Sequence, residues 1–124
     1  MQIRSARRLA VAILAIFLAP AAHAHSQLEG ADPEPRAVLE RSPPVITLRF
    51  KDAVRLTSVI VRGADGAERK LSFAPTGSAQ QFSITEPALT SGRSEIRWKA
   101  LSRDGHVIDG ALSYIVNPSA KSSP

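Results

Sequence analysis

The chain has 124 residues, 44% hydrophobic and 22% charged, which bounds it to one small domain and excludes both a large two-domain enzyme and wholesale disorder. It has no cysteine, and its single methionine is the initiator, so disulfide frameworks, thiolate zinc sites, iron–sulfur clusters, thiol nucleophiles and thioether sites for soft metals are excluded. Its formal charge of +5 points to a polyanionic partner only if that charge stays with the folded part.

Residues 1–24 read as a cleaved secretory signal peptide. Arg4, Arg7 and Arg8 form a basic head, Leu9 to Ala19 an apolar run, and Ala22-His23-Ala24 a small-x-small cleavage site. The apolar run is shorter than the roughly 20 residues a spanning helix needs, so the mature protein is expected not to span a membrane. The Arg7-Arg8 pair is also a mark of twin-arginine export, but its neighbours fit that signal poorly and general secretion fits better. The leader takes three of the 16 basic residues and no acidic ones, leaving a net charge of +2. No Lys/Arg cluster remains, so a nucleic-acid partner is not expected. An exported chain without cysteine fits a bacterial periplasm, where the core alone must hold the fold.

From residue 25 onward, Pro33, Pro35, Pro43, Pro44, Pro75, Pro87 and several glycine turns separate short strand-like runs. A first strand is expected near Ser26–Gly30, and Arg36–Arg41 suits one helical turn. Val45–Lys51 alternates, with Ile46, Leu48 and Phe50 on one face. Leu56–Arg62 is a second β-branched run, and the turn signal Ala64-Asp65-Gly66-Ala67 joins it to Glu68–Phe73 as a hairpin. Gln80–Thr85 points Phe82 and Ile84 inward, Ser94–Leu101 groups Ile96, Trp98 and Ala100, and Ala111–Val116 groups Leu112, Tyr114 and Val116. This is an all-β pattern, expected to form an antiparallel immunoglobulin-like sandwich with Trp98 as a core anchor. The Ser/Pro/Lys-rich tail, residues 118–124, is expected to fray.

Two histidines remain after the leader, His25 as the first residue and His106 in Asp104-Gly105-His106. An N-terminal histidine can close a six-membered chelate through its α-amine and ring Nδ1. Their ordinary pKa values of about 7.7–8.0 and about 6.5 make proton competition mild near neutrality. His106 adds a third nitrogen and Asp104 an oxygen, a set that suits tetragonal Cu(II) above zinc or nickel. If the chain is extended there, Asp104 and His106 face the same side; if Gly105 sits in a turn, the spacing does not settle their geometry. A cleavage accident and an ordinary Asp-Gly turn would produce the same residues without any metal, and the pattern alone leaves both readings open.

The segment Trp98-Lys-Ala-Leu-Ser-Arg-Asp104-Gly-His106-Val-Ile-Asp-Gly110-Ala-Leu-Ser-Tyr114 resembles the closing part of the CopC family of periplasmic copper-binding proteins. The opening His25-Ser-Gln-Leu28 with Asp32-Pro33, and the strand Ile46 to Asp52, are similar to that family's mature N-terminus and first long strand. The resemblance covers residues 25–117. It implies a Greek-key β-sandwich of about seven strands in the periplasm, binding one Cu(II) ion through His25 (amine and imidazole), Asp104 and His106. It also implies a copper carrier or buffer, in resistance or uptake, that works with a separately encoded inner-membrane copper transport protein. Asp52 stands where members of the family often carry an acidic residue close to the copper, here one methylene shorter than glutamate. With no methionine after residue 1, the methionine-rich Cu(I) site of some members is not expected.

Two other functions compete. A copper held by histidines and an N-terminal amine also resembles polysaccharide monooxygenases, but those are usually larger, and Asp104 would fill the position that oxygen needs. A metal-free immunoglobulin-like interaction module is the other. A Ser/His/Asp triad is dismissed, since one interior histidine stands without a nucleophile elbow.

Overall fold

The computed structural model describes residues 27–120. The expected leader, residue 25 and the last four residues of the expected tail lie outside the described residues. The strands are β1 (Leu28–Asp32), β2 (Val38–Leu39), β3 (Val45–Arg62), β4 (Glu68–Lys70), β5 (Phe73–Ala74), β6 (Ser78–Thr85), β7 (Gly92–Leu101) and β8 (Val107–Val116), followed by a 3-10 turn at Pro118–Ala120. Eight strands stand where about seven were expected, because the count now includes two strands of only two residues.

The two runs Val45–Lys51 and Leu56–Arg62 are one continuous strand of 18 residues. Alternation lapses at Lys51-Asp52-Ala53 without ending the strand, since no glycine or proline interrupts the backbone there. The strand bends instead. Its register with β6 shifts between Arg49 and Val54, and its register with β7 shifts between Leu56 and Ser58. Such irregularities add a residue on one side and increase the local twist. The buried positions accordingly change phase, from Ile46, Leu48, Phe50, Val54 and Leu56 to Val59 and Val61.

This bend makes two layers out of one hydrogen-bonded network. The first half of β3 pairs with β1 on one side and β6 on the other, and β6 carries β5. The second half pairs with β4 and β7; β7 runs on into β8 through a ten-residue ladder. Phe50 from the first layer meets Trp98 of the second edge-on, with ring centroids 5.0 Å apart, and Phe82 edge-on at 5.9 Å. The core residues expected from period two are buried as expected, Trp98 at 1% exposure among them. Gly110 lies opposite Trp98 in the β7–β8 ladder, and a Cβ there would come within 2.6 Å of the indole Cζ2. Only glycine lets the indole lie across β8.

Two expectations fail for reasons of tertiary pairing. Arg36–Arg41 forms no helical turn; Val38 and Leu39 pair in parallel with Ile115 and Val116. Arg36 donates to the Ser113 carbonyl at 2.6 Å, while the Ile115 and Asn117 amides donate to Ala37 and Leu39 at 3.0 and 2.7 Å. Unpaired groups at the β8 edge thus outcompete a single isolated turn, which is marginal in water. Glu68–Phe73 is not one strand either. The 63–67 turn delivers β4 onto β3 as a hairpin, but the chain then crosses at buried Leu71 and pairs as β5 with β6 in the other layer. The first strand is confirmed, shifted two residues to Leu28–Asp32.

Candidate metal centre

Asp104 and His106 sit on the turn between β7 and β8. The Ser102 amide donates to the His106 carbonyl at 2.9 Å, closing the turn, and the Gly105 amide donates to the Ser102 carbonyl at 2.9 Å. Gly105 has φ +88°, a left-handed conformation that glycine adopts at no steric cost. The chain is therefore not extended at this point. The turn nevertheless brings the two side chains together, with His106 Nδ1 3.1 Å from Asp104 Oδ2.

The Ser102 hydroxyl organises this pair. It accepts from the His106 amide at 3.2 Å and donates to Asp104 Oδ1. That donated bond is the main cause holding the Asp104 carboxyl below the usual carboxylate range, with the nearby imidazole adding a smaller pull in the same direction. Replacing Ser102 by alanine is expected to raise the Asp104 pKa in the metal-free protein, read by carbon-detected NMR titration of the carboxyl. Because the folded value is depressed, the stabilisation belongs to pH above the unfolded value of about 3.9 and is lost as pH falls through the folded one. An unchanged titration curve would show that the serine does not hold the carboxylate.

Both candidate ligands face solvent, the His106 side chain at 78% and the Asp104 side chain at 68% exposure. With Nδ1 turned to the carboxylate, Nε2 is the ring nitrogen left for an incoming ion. Beside them lies a cleft of about 460 Å³ lined by Gln27, Asp52, Ala53, Val54, Ser102, Arg103 and Asp104. The bend of β3 supplies Asp52 to Val54, the β7–β8 turn supplies Ser102 to Asp104, and Gln27 stands just ahead of β1. Gln27 Oε1 is buried and has no hydrogen-bond partner among the described residues.

Of the residues singled out in the sequence, the structure brings Asp104 and His106 into contact and sets Asp52 on the same cleft as Asp104. His25 lies outside the described residues. Among the described residues no group of three His, Cys, Asp or Glu side chains converges. Sequence reasoning did not assign the Ser102 hydroxyl or Gln27 a place here. The serine two positions before an aspartate in a turn was a readable signal for the first. Nothing local marked the second.

A family model, the CopC domain, matches residues 28–117. No curated protein matches the chain. Among solved structures, CopC from Methylosinus trichosporium OB3b is similar at 23% identity and a TM-score of 0.63, over 81% of this chain and 99% of that one. Selenomethionine PcoC, a copper resistance protein from Escherichia coli, is similar at 21% identity and a TM-score of 0.57, over 73% and 98% of the two chains. A second structure of PcoC, described as a methionine-rich copper resistance protein, gives 22% identity and a TM-score of 0.54 over 73% and 97%. These structures share the β-sandwich fold.

Proposed function

The chain belongs to the CopC family, whose members are copper-binding resistance proteins and not enzymes, and from that premise we propose that it is a periplasmic Cu(II) carrier with one site per chain. The ligands in this reading are the His25 amine and imidazole, Asp104 and His106. The observation that carries it is the position of Gln27 on the cleft that Asp104 borders. His25 is two residues earlier, and two extended residues span at most about 7 Å, a length that would let a chain beginning at His25 reach the β7–β8 turn.

The donor chemistry agrees. Nitrogen and carboxylate oxygen suit Cu(II), whereas Cu(I) favours thioethers, and this chain has one methionine where PcoC is methionine-rich. The exposure of Asp104 and His106 favours a carrier, because an acceptor's ligands can approach the ion directly. The acceptor in this proposal is a separately encoded inner-membrane copper transport protein. No helix among the described residues is long and apolar enough to cross a membrane. The leader at 1–24 supplies export.

Titrating Cu(II) into protein that begins at His25, with EPR and Trp98 fluorescence as readouts, tests this reading. One equivalent with a tetragonal signal and nitrogen hyperfine structure is expected. His106→Ala removes a direct ligand and should weaken binding by more than the 10–100-fold typical of lost supporting contacts. Binding that survives His106→Ala together with Asp104→Asn would place the copper elsewhere or nowhere.

A further inference from the structure

Contiguous with the metal cleft, and sharing Ala53, Val54, Ser102 and Arg103 with it, lies a second, smaller cleft of about 260 Å³ whose further walls are Arg55, Ser78, Leu101 and Gly105. Its position follows from the shared strand. Arg55 is the residue of β3 that pairs with Ser78 of β6 and also with Leu101 of β7, so its backbone is held where the two layers meet. Arg103 lines both clefts. Among the described residues neither arginine makes an ion pair or a side-chain hydrogen bond, whereas Arg62, at the far end of β3, is engaged with Glu68 at 2.7 Å. The acidic groups at this end, Asp52 and Asp104, line the metal cleft, and Asp104 is occupied by Ser102 and His106.

Two guanidinium groups on one concavity repel each other, and a carboxylate between them relieves that repulsion with charge-assisted, bidentate hydrogen bonds. The Ser78 hydroxyl adds a neutral polar group. A concave site of this size fits a small polycarboxylate better than a protein surface, which needs a broad interface. We propose that the Arg55–Arg103 cleft binds the carboxylate groups of a small anionic copper chelate, holding it beside the Asp104–His106 turn while the metal is exchanged. Carboxylate binding stands on the cleft alone; its role in loading rests on the copper reading above. The exchange leaves the metal as Cu(II): each copper–carboxylate bond that breaks is replaced by a bond to protein nitrogen or to Asp104, and any proton on those nitrogens goes to solvent.

Citrate is the probe, added to metal-free protein at low ionic strength and followed by amide and Arg Nε–H NMR. Saturable shifts are expected at Arg55, Ser78, Arg103 and Gly105. Arg55→Gln and Arg103→Gln should each weaken binding about tenfold, the usual loss for one charge-assisted contact, while Arg93→Gln, which removes an exposed charge outside the cleft, leaves it unchanged. Both cleft arginines are exposed, so neither substitution threatens folding. Shifts spread evenly over Arg93, Arg97 and Lys99 as well, or surviving in the double variant, would overturn the site. So would a glutamate pentapeptide that binds the same residues more tightly than citrate, which would assign the cleft to a protein partner. In the loading arm, the double variant should slow Cu(II) uptake from citrate about tenfold or more and leave uptake from neutral copper bis-glycinate unaltered. Equal slowing from both donors would overturn the loading role. Protein that binds citrate but never copper would refute only the function proposed above.

Discussion

Placing one glycine ahead of His25 is expected to lower Cu(II) affinity at least about a hundredfold and to change the EPR spectrum. The extension turns the His25 nitrogen into a peptide amide and moves the free amine one residue away, so the six-membered chelate of amine and Nδ1 can no longer form. The effect should also appear as lost coupling. In protein beginning at His25, His106→Ala should weaken binding strongly. In the extended protein the same substitution should cost little, because whatever the new N-terminus binds no longer has His106 in its shell. Equal affinity and equal dependence on His106 in both forms would remove the amine from the site. Mass spectrometry of the exported protein checks the premise, since cleavage after Ala24 leaves His25 first and cleavage after Ala22 leaves His23 first.

The largest effect on stability is expected at Trp98. Its indole is 1% exposed, meets Phe50 edge-on across the two layers at 5.0 Å, and lies against Gly110 of the neighbouring strand. Truncating a buried aromatic of this size costs about 3–5 kcal/mol, a large share of the roughly 5–15 kcal/mol that holds a domain together. Trp98→Ala should therefore lower Tm by more than about 10 °C. Trp98→Phe should cost far less. It keeps an aromatic edge for Phe50, and the indole Nε1 it discards is buried without a partner among the described residues. Thermal and urea unfolding followed by circular dichroism would check both. A Trp98→Ala protein within 1 kcal/mol of the parent, an allowance set by ordinary mutational scatter, would mean that the layers are held elsewhere.

The strands that could be read directly are those whose burial alternates without interruption. In β6, β7 and β8 the inward residues Phe82, Ile84, Ile96, Trp98, Ala100, Leu112, Tyr114 and Val116 were legible, because side chains on a strand alternate faces whatever the partner strand is. Buried Ile108, by contrast, fell before the expected start of the last strand. The Asp104–His106 pair was legible as a set of metal-donor residue types, since only a few side chains offer such donors. Its geometry was not, because the spacing allowed both an extended chain and a turn, and the choice fell to Gly105 at positive φ closing β7 onto β8. Arg36–Arg41 shows the opposite failure: one helical turn was expected there, and the segment pairs with a distant strand edge instead.

What the sequence determined by itself was the all-β class, the inward face of the regularly alternating segments and the donor types available for a metal. These follow from residue chemistry and from a two-residue period, both local properties. The tertiary structure alone decided that β3 continues through Lys51–Arg55, that it bends there, and that Gln27, Asp52 and the Ser102–His106 turn meet at one end. Those facts depend on pairing with strands that begin at residues 28, 78 and 92, and a strand carries no local mark of which distant edge it will join.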